Sequence, residues 1–316
     1  MNNTTQSNQE NISTGVLVYS VILFVIVVLA LAGNAIVCLA FYRSSTFRSA
    51  TVLFILSLAV TDILVATISI PLWLSLQLKF CEDQHCLTPW KITDVLFSTA
   101  SIMNLCAISV DRLVIISRPL HYPNIMTTSR ANIALVAIWG FAVTLSALIS
   151  TSWSFYPTFV FIVAFVLPLL IMISSYSFIL KAALSQVRRV FPIRQAYYFK
   201  RELKAAKTLG IVMGAFITCW APFFLVNLIV SYRKDIVVST TSIAGIKTLH
   251  YINSALNPVI YSCSNKEFRF KILRVLPCGS ARHSNMIDRV VFWSTTLGAS
   301  TDLSSTYRDS FRAHKN

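Results

Sequence analysis

Charged side chains are scarce in this chain: Asp, Glu, Lys and Arg make up 12% of its 316 residues, about half the share usual in a soluble domain. That shortage excludes an ordinary water-soluble globule. Acids are the scarcer sign, with 12 Asp and Glu against 27 Lys and Arg, for a net charge of +15. The N-terminus lacks the basic region and short apolar stretch of a cleavable signal peptide, so the first apolar run is expected to act as an uncleaved anchor. There is no internal repeat, and none of the inverted halves of many transporters. Cysteine is too scattered for a disulfide scaffold. Cys38, Cys106, Cys219 and Cys263 fall inside apolar runs and Cys278 follows the last one. Only Cys81 and Cys86 stand in a connector facing an oxidising exterior, where they could pair with each other. No paired nucleophile and base and no metal-ligand spacing appears, which argues against an intramembrane enzyme.

Long apolar runs dominate what is present. The chain is 55% hydrophobic, with a mean hydropathy of +0.67. Membrane spans are expected at 16–41, 51–77, 90–116, 131–151, 156–181, 205–231 and 240–263. Short connectors at 42–50, 117–130 and 151–156 force neighbouring helices to pack antiparallel. The fold class is an all-α membrane protein, a seven-transmembrane helix bundle with a short amphipathic cytoplasmic helix. Orientation follows the basic residues. The 181–207 connector alone carries Lys181, Arg188, Arg189, Arg194, Lys200, Arg201, Lys204 and Lys207. That side is cytoplasmic by the positive-inside rule, which leaves the N-terminus outside and the C-terminus inside a multi-pass cell-membrane protein. The positive charge reflects this asymmetry and some attraction to anionic lipid, and is weak support for nucleic-acid binding.

Residues 1–15 form a polar extracellular segment with glycosylation sequons at Asn2, Asn3 and Asn11. The bundle occupies 16–263. Within 264–278 an amphipathic juxtamembrane helix places Phe268, Ile272 and Leu276 on one face, with Lys266, Lys271 and Arg274 at the interface. The Ser/Thr-rich stretch 279–316 reads as a disordered cytoplasmic tail.

Asp94 lies eighteen residues before Arg112 in one apolar stretch. At ~3.6 residues per turn both side chains leave the same face of one helix, roughly 27 Å apart. One helix thus carries an acid near one membrane face and an arginine near the other, and ionisable groups at that depth usually mark function. Asn34, Asp62, Ser101, Asn253, Ser254 and Asn257 are further polar residues at membrane depth. The oxygens of Asp62, Ser101, Asn253 and Asn257 could converge on a small hard cation with water. The alternative is a neutral Asp62 in a plain hydrogen-bond network. Pro71, Pro168, Pro222 and Pro258 permit kinks and are candidate hinges.

Gly33-Asn34, Asp62, Asp111-Arg112-Leu113, Cys219-Trp220-Ala221-Pro222 and Asn257-Pro258-Val259-Ile260-Tyr261 occur in the order and spans of rhodopsin-like (class A) G protein-coupled receptors, which the chain resembles over about 16–278. Leu113 departs from the usual Asp-Arg-Tyr. The resemblance implies that Arg112 is a cytoplasmic switch held at rest by Asp111 and Glu202. It also implies that Trp220, with Phe216, Ile102 and Pro168, is a packing switch for the sixth helix. Tyr176 and Tyr261 would support the open state, and Asp62, Ser101, Asn253 and Asn257 would hold an allosteric sodium ion. No other cofactor is implied. Cys278 resembles a palmitoylation site, and the tail's serines and threonines offer receptor-kinase sites that would recruit arrestin.

Asp94 and the stretch Ser98–Ser109 resemble aminergic receptors most closely. The resemblance implies a pocket for a small protonated amine, lined by Asp94, Val95, Ser98, Phe161, Trp220, Phe223, Phe224, Asn227, Lys247 and Tyr251, and coupling to a heterotrimeric G protein. An ammonium rewards a fixed carboxylate flanked by aromatic faces. Val160, Phe161 and Ala164 replace the serines of catecholamine receptors, so a catechol is disfavoured, and Thr248 replaces a common tryptophan. Tyr251 stands where an opsin needs its retinal lysine, and Lys247, one turn away, is a poor substitute. A peptide receptor of melanocortin type ranks second. Cys219–Leu225 and Asn124–Thr127 resemble that group, but Pro168, Asn257 and Leu72 do not. An Asp94 turned to lipid, or already neutralised by a cation of the protein, would defeat the amine reading.

Overall fold

The computed structural model describes residues 14–42, 49–81, 84–151, 153–187, 193–233 and 235–264, with backbone only at 84, 183–187, 193–209, 212 and 261–264. Among these residues there are seven long helices and no strand: α1 (Thr14–Tyr42), α2 (Ala50–Gln77), α3 (Gln84–Ser117), α4 (Thr128–Ser150), α5 (156–187), α6 (Ile193–Tyr232) and α7 (Thr240–Ser264). The first six are long and apolar enough to cross a membrane. α7 is 25 residues long and more polar. Its Lys247, His250, Asn253, Ser254 and Asn257 are all buried, so these polar groups face the bundle and not lipid. The chain is a multi-pass membrane protein. α3 and α6 begin earlier than the apolar pattern indicates, because both continue through residues too polar to register as span.

α3 sits at the centre, packed against α2, α4, α5 and α6, while α1 closes the ring against α2 and α7. Leu58, Ile102, Ile108, Leu145, Met172, Phe216 and Trp220 fill the interior. Outward-facing Phe24, Leu29, Ile133, Val136 and Leu170 are exposed, an apolar belt that only a bilayer accommodates.

Two prolines follow widened turns. A π-turn at Val65–Ser69 precedes Pro71, and another at Phe161–Val166 precedes Pro168. Proline has no N–H and crowds the carbonyl one turn back, so the local widening absorbs the clash. Two glycines permit close approaches. A Cβ on Gly33 would come within 2.9 Å of Pro258 Cγ, which brings α1 against α7. One on Gly210 would lie 2.6 Å from the Tyr176 hydroxyl, so Tyr176 rests on α6 there. Just after α2, Lys79 takes a left-handed conformation (φ 56°) and the chain turns into a Cys81–Cys86 disulfide. That pairing leaves Cys38, Cys106 and Cys219 as free thiols among the described residues.

Asn2, Asn3, Asn11, Cys278, the amphipathic helix and the tail lie outside the described residues, as do the side chains of Glu202 and Tyr261.

Candidate functional site

Asp94 faces inward about ten residues from the N-terminal end of α3, and its carboxylate is already paired. Lys247 Nζ on α7 donates to Asp94 Oδ2 at 2.7 Å, and the Tyr251 hydroxyl donates to Oδ1 at 3.2 Å. Trp90 Nε1 in turn donates to the Tyr251 oxygen at 3.2 Å. The lysine and aspartate side chains are 4% and 5% exposed. Lys247 and Tyr251 are one turn apart on α7, and Trp90 and Asp94 one turn apart on α3, so all four meet across a single interhelical seam.

The ammonium stands in an aromatic cage. Nζ lies 4.1 Å from the ring centre of Phe223, 4.7 Å from Trp90, 5.6 Å from Tyr251 and 5.8 Å from Trp73. The Trp73 and Trp90 rings are 4.7 Å apart, and Tyr19 on α1 accepts from Trp73 Nε1 at 2.8 Å. A buried ion pair of this kind survives where its desolvation cost is offset by good geometry and further partners, and here both ions have them.

An open anionic pocket was expected, and the structure corrects that expectation. Lys247, a ligand-contacting residue in the sequence reading, supplies the neutralising cation itself. As a vacant acid awaiting a ligand, the amine site therefore fails. The same geometry still shows a site complementary to an ammonium, since it holds one.

The other expected pocket residues divide into two groups. Ser98 Oγ meets His250 Nε2 at 3.0 Å, and His250 Nδ1 is 3.5 Å from Lys247 Nζ. Phe161, Phe224, Trp220 and Phe223 join a continuous aromatic cluster, with Phe161–Phe224 centroids 6.4 Å apart, and Val95 packs on the same core. Asn227 does not join them. It is exposed and its amide folds back on the Phe223 carbonyl at 2.7 Å, because its turn of α6 points away from the bundle. The cage members Trp73 and Trp90, and Tyr19 behind Trp73, were missed. The four-residue step from Trp90 to Asp94 was the one available signal.

His250 links the pair to the deeper core. Its ring lies 4.2 Å from Trp220, which continues to Phe216 at 6.3 Å and Phe165 at a further 6.0 Å. Ile102 is fully buried in the same cluster.

A second polar centre sits one layer down. Asn257 Nδ2 donates to Asp62 Oδ2 at 2.9 Å, and Asn34 Nδ2 reaches the Ser254 carbonyl at 3.0 Å. Asp62 Oδ1 and Ser101 Oγ are buried without a hydrogen-bond partner, and Asn253 on α7 is buried as well. A buried carboxylate oxygen and a hydroxyl left unsatisfied are hard donors of the kind a sodium ion takes, so the chemistry of these side chains is compatible with one.

A third cluster closes the C-terminal end of α3. Asp111 is fully buried and accepts from Thr51 Oγ1 and from the Tyr122 hydroxyl at 2.8 Å, with Arg112 Nε 3.8 Å away. Burial pushes the Tyr122 phenol up to about 12, so it remains a donor at physiological pH. Thr51 and Tyr122 were not foreseen. Thr51 sits at the start of α2, and Tyr122 belongs to a four-residue helical turn, Tyr122–Ile125, whose carbonyls Arg130 caps at 3.0 and 2.8 Å.

Residues 33–154 and 147–261 match the family described as "7 transmembrane receptor (rhodopsin family)". The chain is 37% identical to the histamine H2 receptor of Cavia porcellus over 291 residues, covering 84% of this chain and 81% of that protein. It is 35% identical to the Homo sapiens histamine H2 receptor over 291 residues, with the same coverage. Identity to the D(5)-like dopamine receptor of Takifugu rubripes is 30% over 329 residues, covering 86% of this chain and 69% of that one.

Proposed function

Since the chain belongs to the rhodopsin family of seven-transmembrane receptors, we propose that it signals through a heterotrimeric G protein in response to a small ligand bearing a protonated amine. It is a receptor and not an enzyme. The observation that carries the ligand reading is the buried Asp94 carboxylate, oriented by Tyr251 and walled by aromatic rings; because Lys247 already neutralises it, a vacant amine pocket is ruled out, and the reading is revised to an amine that binds by displacing that lysine. Aminergic relatives at 35–37% identity support the same class.

An incoming amine acts by taking Asp94 from Lys247. The displaced lysine shifts His250 at 3.5 Å, and His250 stacks on Trp220 at 4.2 Å, so splitting the pair is felt at the aromatic core where α6 packs on α3 and α5. An agonist is a ligand that gains more in the rearranged state than in the paired one. At the cytoplasmic end, Asp111 with Thr51 and Tyr122 holds the foot of α3, and Arg112 is the residue exposed to the transducer when α6 moves outward. Asp62, Ser101, Asn253 and Asn257 would hold a sodium ion that favours the resting arrangement. The orientation has the N-terminus outside and the basic connectors in the cytoplasm, where arrestin and receptor kinases would meet the tail.

A screen of biogenic amines and related ammonium compounds against second-messenger outputs tests the reading, with Asp94→Ala as control. Responses should vanish in that variant while surface expression persists. Responses that survive it would show that the ligand does not use this acid.

A further inference from the structure

We infer that the ligand is a zwitterion, a small amino acid carrying a carboxylate as well as an ammonium, and that Lys247 is the residue that binds the carboxylate. The inference rests on the reading of Asp94 as the ammonium acceptor and adds the second half of the ligand.

Charge balance in the cage carries it. Asp94 and Lys247 are both buried and sum to zero charge. The groups facing the lysine ammonium are Asp94, the ring nitrogen of His250 and the faces of Phe223, Trp90, Tyr251 and Trp73. Among the described residues Asp94 is its one ion-pair partner. A bare amine that captures Asp94 leaves Lys247 as an unpaired cation beside the new one, in a site that is net positive and walled by rings. An uncompensated buried charge is among the costliest arrangements a protein can hold.

A bare carboxylate fails by the mirror of this argument, because it takes Lys247 and strands Asp94 with only the Tyr251 hydroxyl at 3.2 Å. A zwitterion inserted between the two ions replaces one pair with two, and the site stays neutral. Lys247 is then no impediment to the ligand but half of its recognition. Selection against decarboxylated amines follows directly, because a site that rejects an unmatched charge discriminates more strongly than one that merely fits a shape.

The test compares matched pairs of ligands that differ only in the carboxylate, such as histidine with histamine, tyrosine with tyramine and tryptophan with tryptamine, together with short ω-amino acids. Cells expressing the full chain are assayed for second messengers in amino-acid-free buffer. The wild type should answer at least one amino acid at concentrations roughly ten- to a hundredfold below its matched amine, the range expected of one charge-assisted contact. Lys247→Met should reverse that preference, and Asp94→Asn should lose both ligands. Surface labelling confirms that each variant reaches the membrane. The paired neutral variant Asp94→Asn/Lys247→Met, which strands no charge, should be expressed and answer neither ligand.

A wild type that answers the plain amine as well as or better than the amino acid, with Lys247→Met leaving the ratio unchanged, overturns the zwitterion proposal while the amine reading stands. A wild type silent to every amino acid also overturns it, and amine responses gained in Lys247→Met would then still support the Asp94 reading. Responses in any variant that ignore Asp94→Asn would defeat both.

Discussion

Neutralising either partner of the Asp94–Lys247 pair should destabilise the receptor, and the two single changes should not cost the same. Breaking a buried pair by removing one ion typically costs ~3–5 kcal/mol, because the survivor is left uncompensated. After Asp94→Asn the lysine keeps four aromatic rings, the nearest 4.1 Å from Nζ, each worth ~0.5–2 kcal/mol to a desolvated cation. After Lys247→Met the carboxylate keeps one hydroxyl at 3.2 Å and no cation. Lys247→Met should therefore sit at or above the top of that range and Asp94→Asn near or below its bottom.

The double variant removes both charges and should fall within about 1 kcal/mol of wild type, since an ion pair replaced by neutral groups of similar volume is often close to neutral in stability. At ~2–4 °C per kcal/mol for a domain of comparable size, the singles lose roughly 5–20 °C in apparent Tm. The double loses a few degrees at most. The assay is thermal unfolding of detergent-solubilised receptor at one fixed scan rate, read with a thiol-reactive dye. Losses that simply add in the double variant would refute the coupling, and an Asp94→Asn more damaging than Lys247→Met would refute the role given to the cage.

Tyr122→Phe removes a hydroxyl donated to buried Asp111 at 2.8 Å and should cost ~1.5–3 kcal/mol, the range for a hydrogen bond to a charged group, seen as a lower apparent Tm and changed basal second-messenger output. Tyr122 titrates near 12 in the fold against 10.0 for a free phenol, so its stabilising effect is full below pH 10 and fades as pH rises through 12. The wild type should lose in that window a stability increment that Tyr122→Phe lacks, in a pH series of unfolding temperatures. Gly33→Ala puts a Cβ 2.9 Å from Pro258 Cγ and should cost ~1–3 kcal/mol through overpacking. Gly140→Ala, with nothing within 4 Å, should stabilise by up to ~1 kcal/mol, and the two apparent Tm values should move in opposite directions. Asp62→Asn should abolish any dependence of agonist potency on sodium, measured by replacing sodium with N-methylglucamine at constant ionic strength.

The helices were legible because a bilayer imposes its thickness on the sequence: runs of about 20 apolar residues, broken by basic connectors, leave few alternatives. Even the more polar α7 could be read as a span, since its Asn253 and Asn257 recur at the spacing of one helix face. Asp94 was legible for the same reason, as a carboxylate stranded in apolar surroundings. Its partner was not. Asp94 and Lys247 are 153 residues apart, and whether they meet depends on how α7 is rotated against α3, which is fixed by Trp73, Trp90 and Tyr251 packing around them. Asn227 shows the converse error. It carries a polar group at the expected depth, but α6 is rotated so that the group faces outward. The hold of Thr51 and Tyr122 on Asp111 joins a helix start, a helix foot and a short turn, and no local pattern announces such a meeting. Elimination left Cys81 and Cys86 as the pair that could bridge, and the bridge itself is seen only in the structure.

Infrared difference spectroscopy of the purified, ligand-free receptor tests most directly whether the chain's own lysine occupies the acid as a charged pair. The expected result is an ionised-carboxylate band that disappears in Asp94→Asn and moves in Lys247→Met. A carboxylate band indifferent to Lys247→Met, or an Asp94 that shows only as a neutral acid in the wild type, would contradict it.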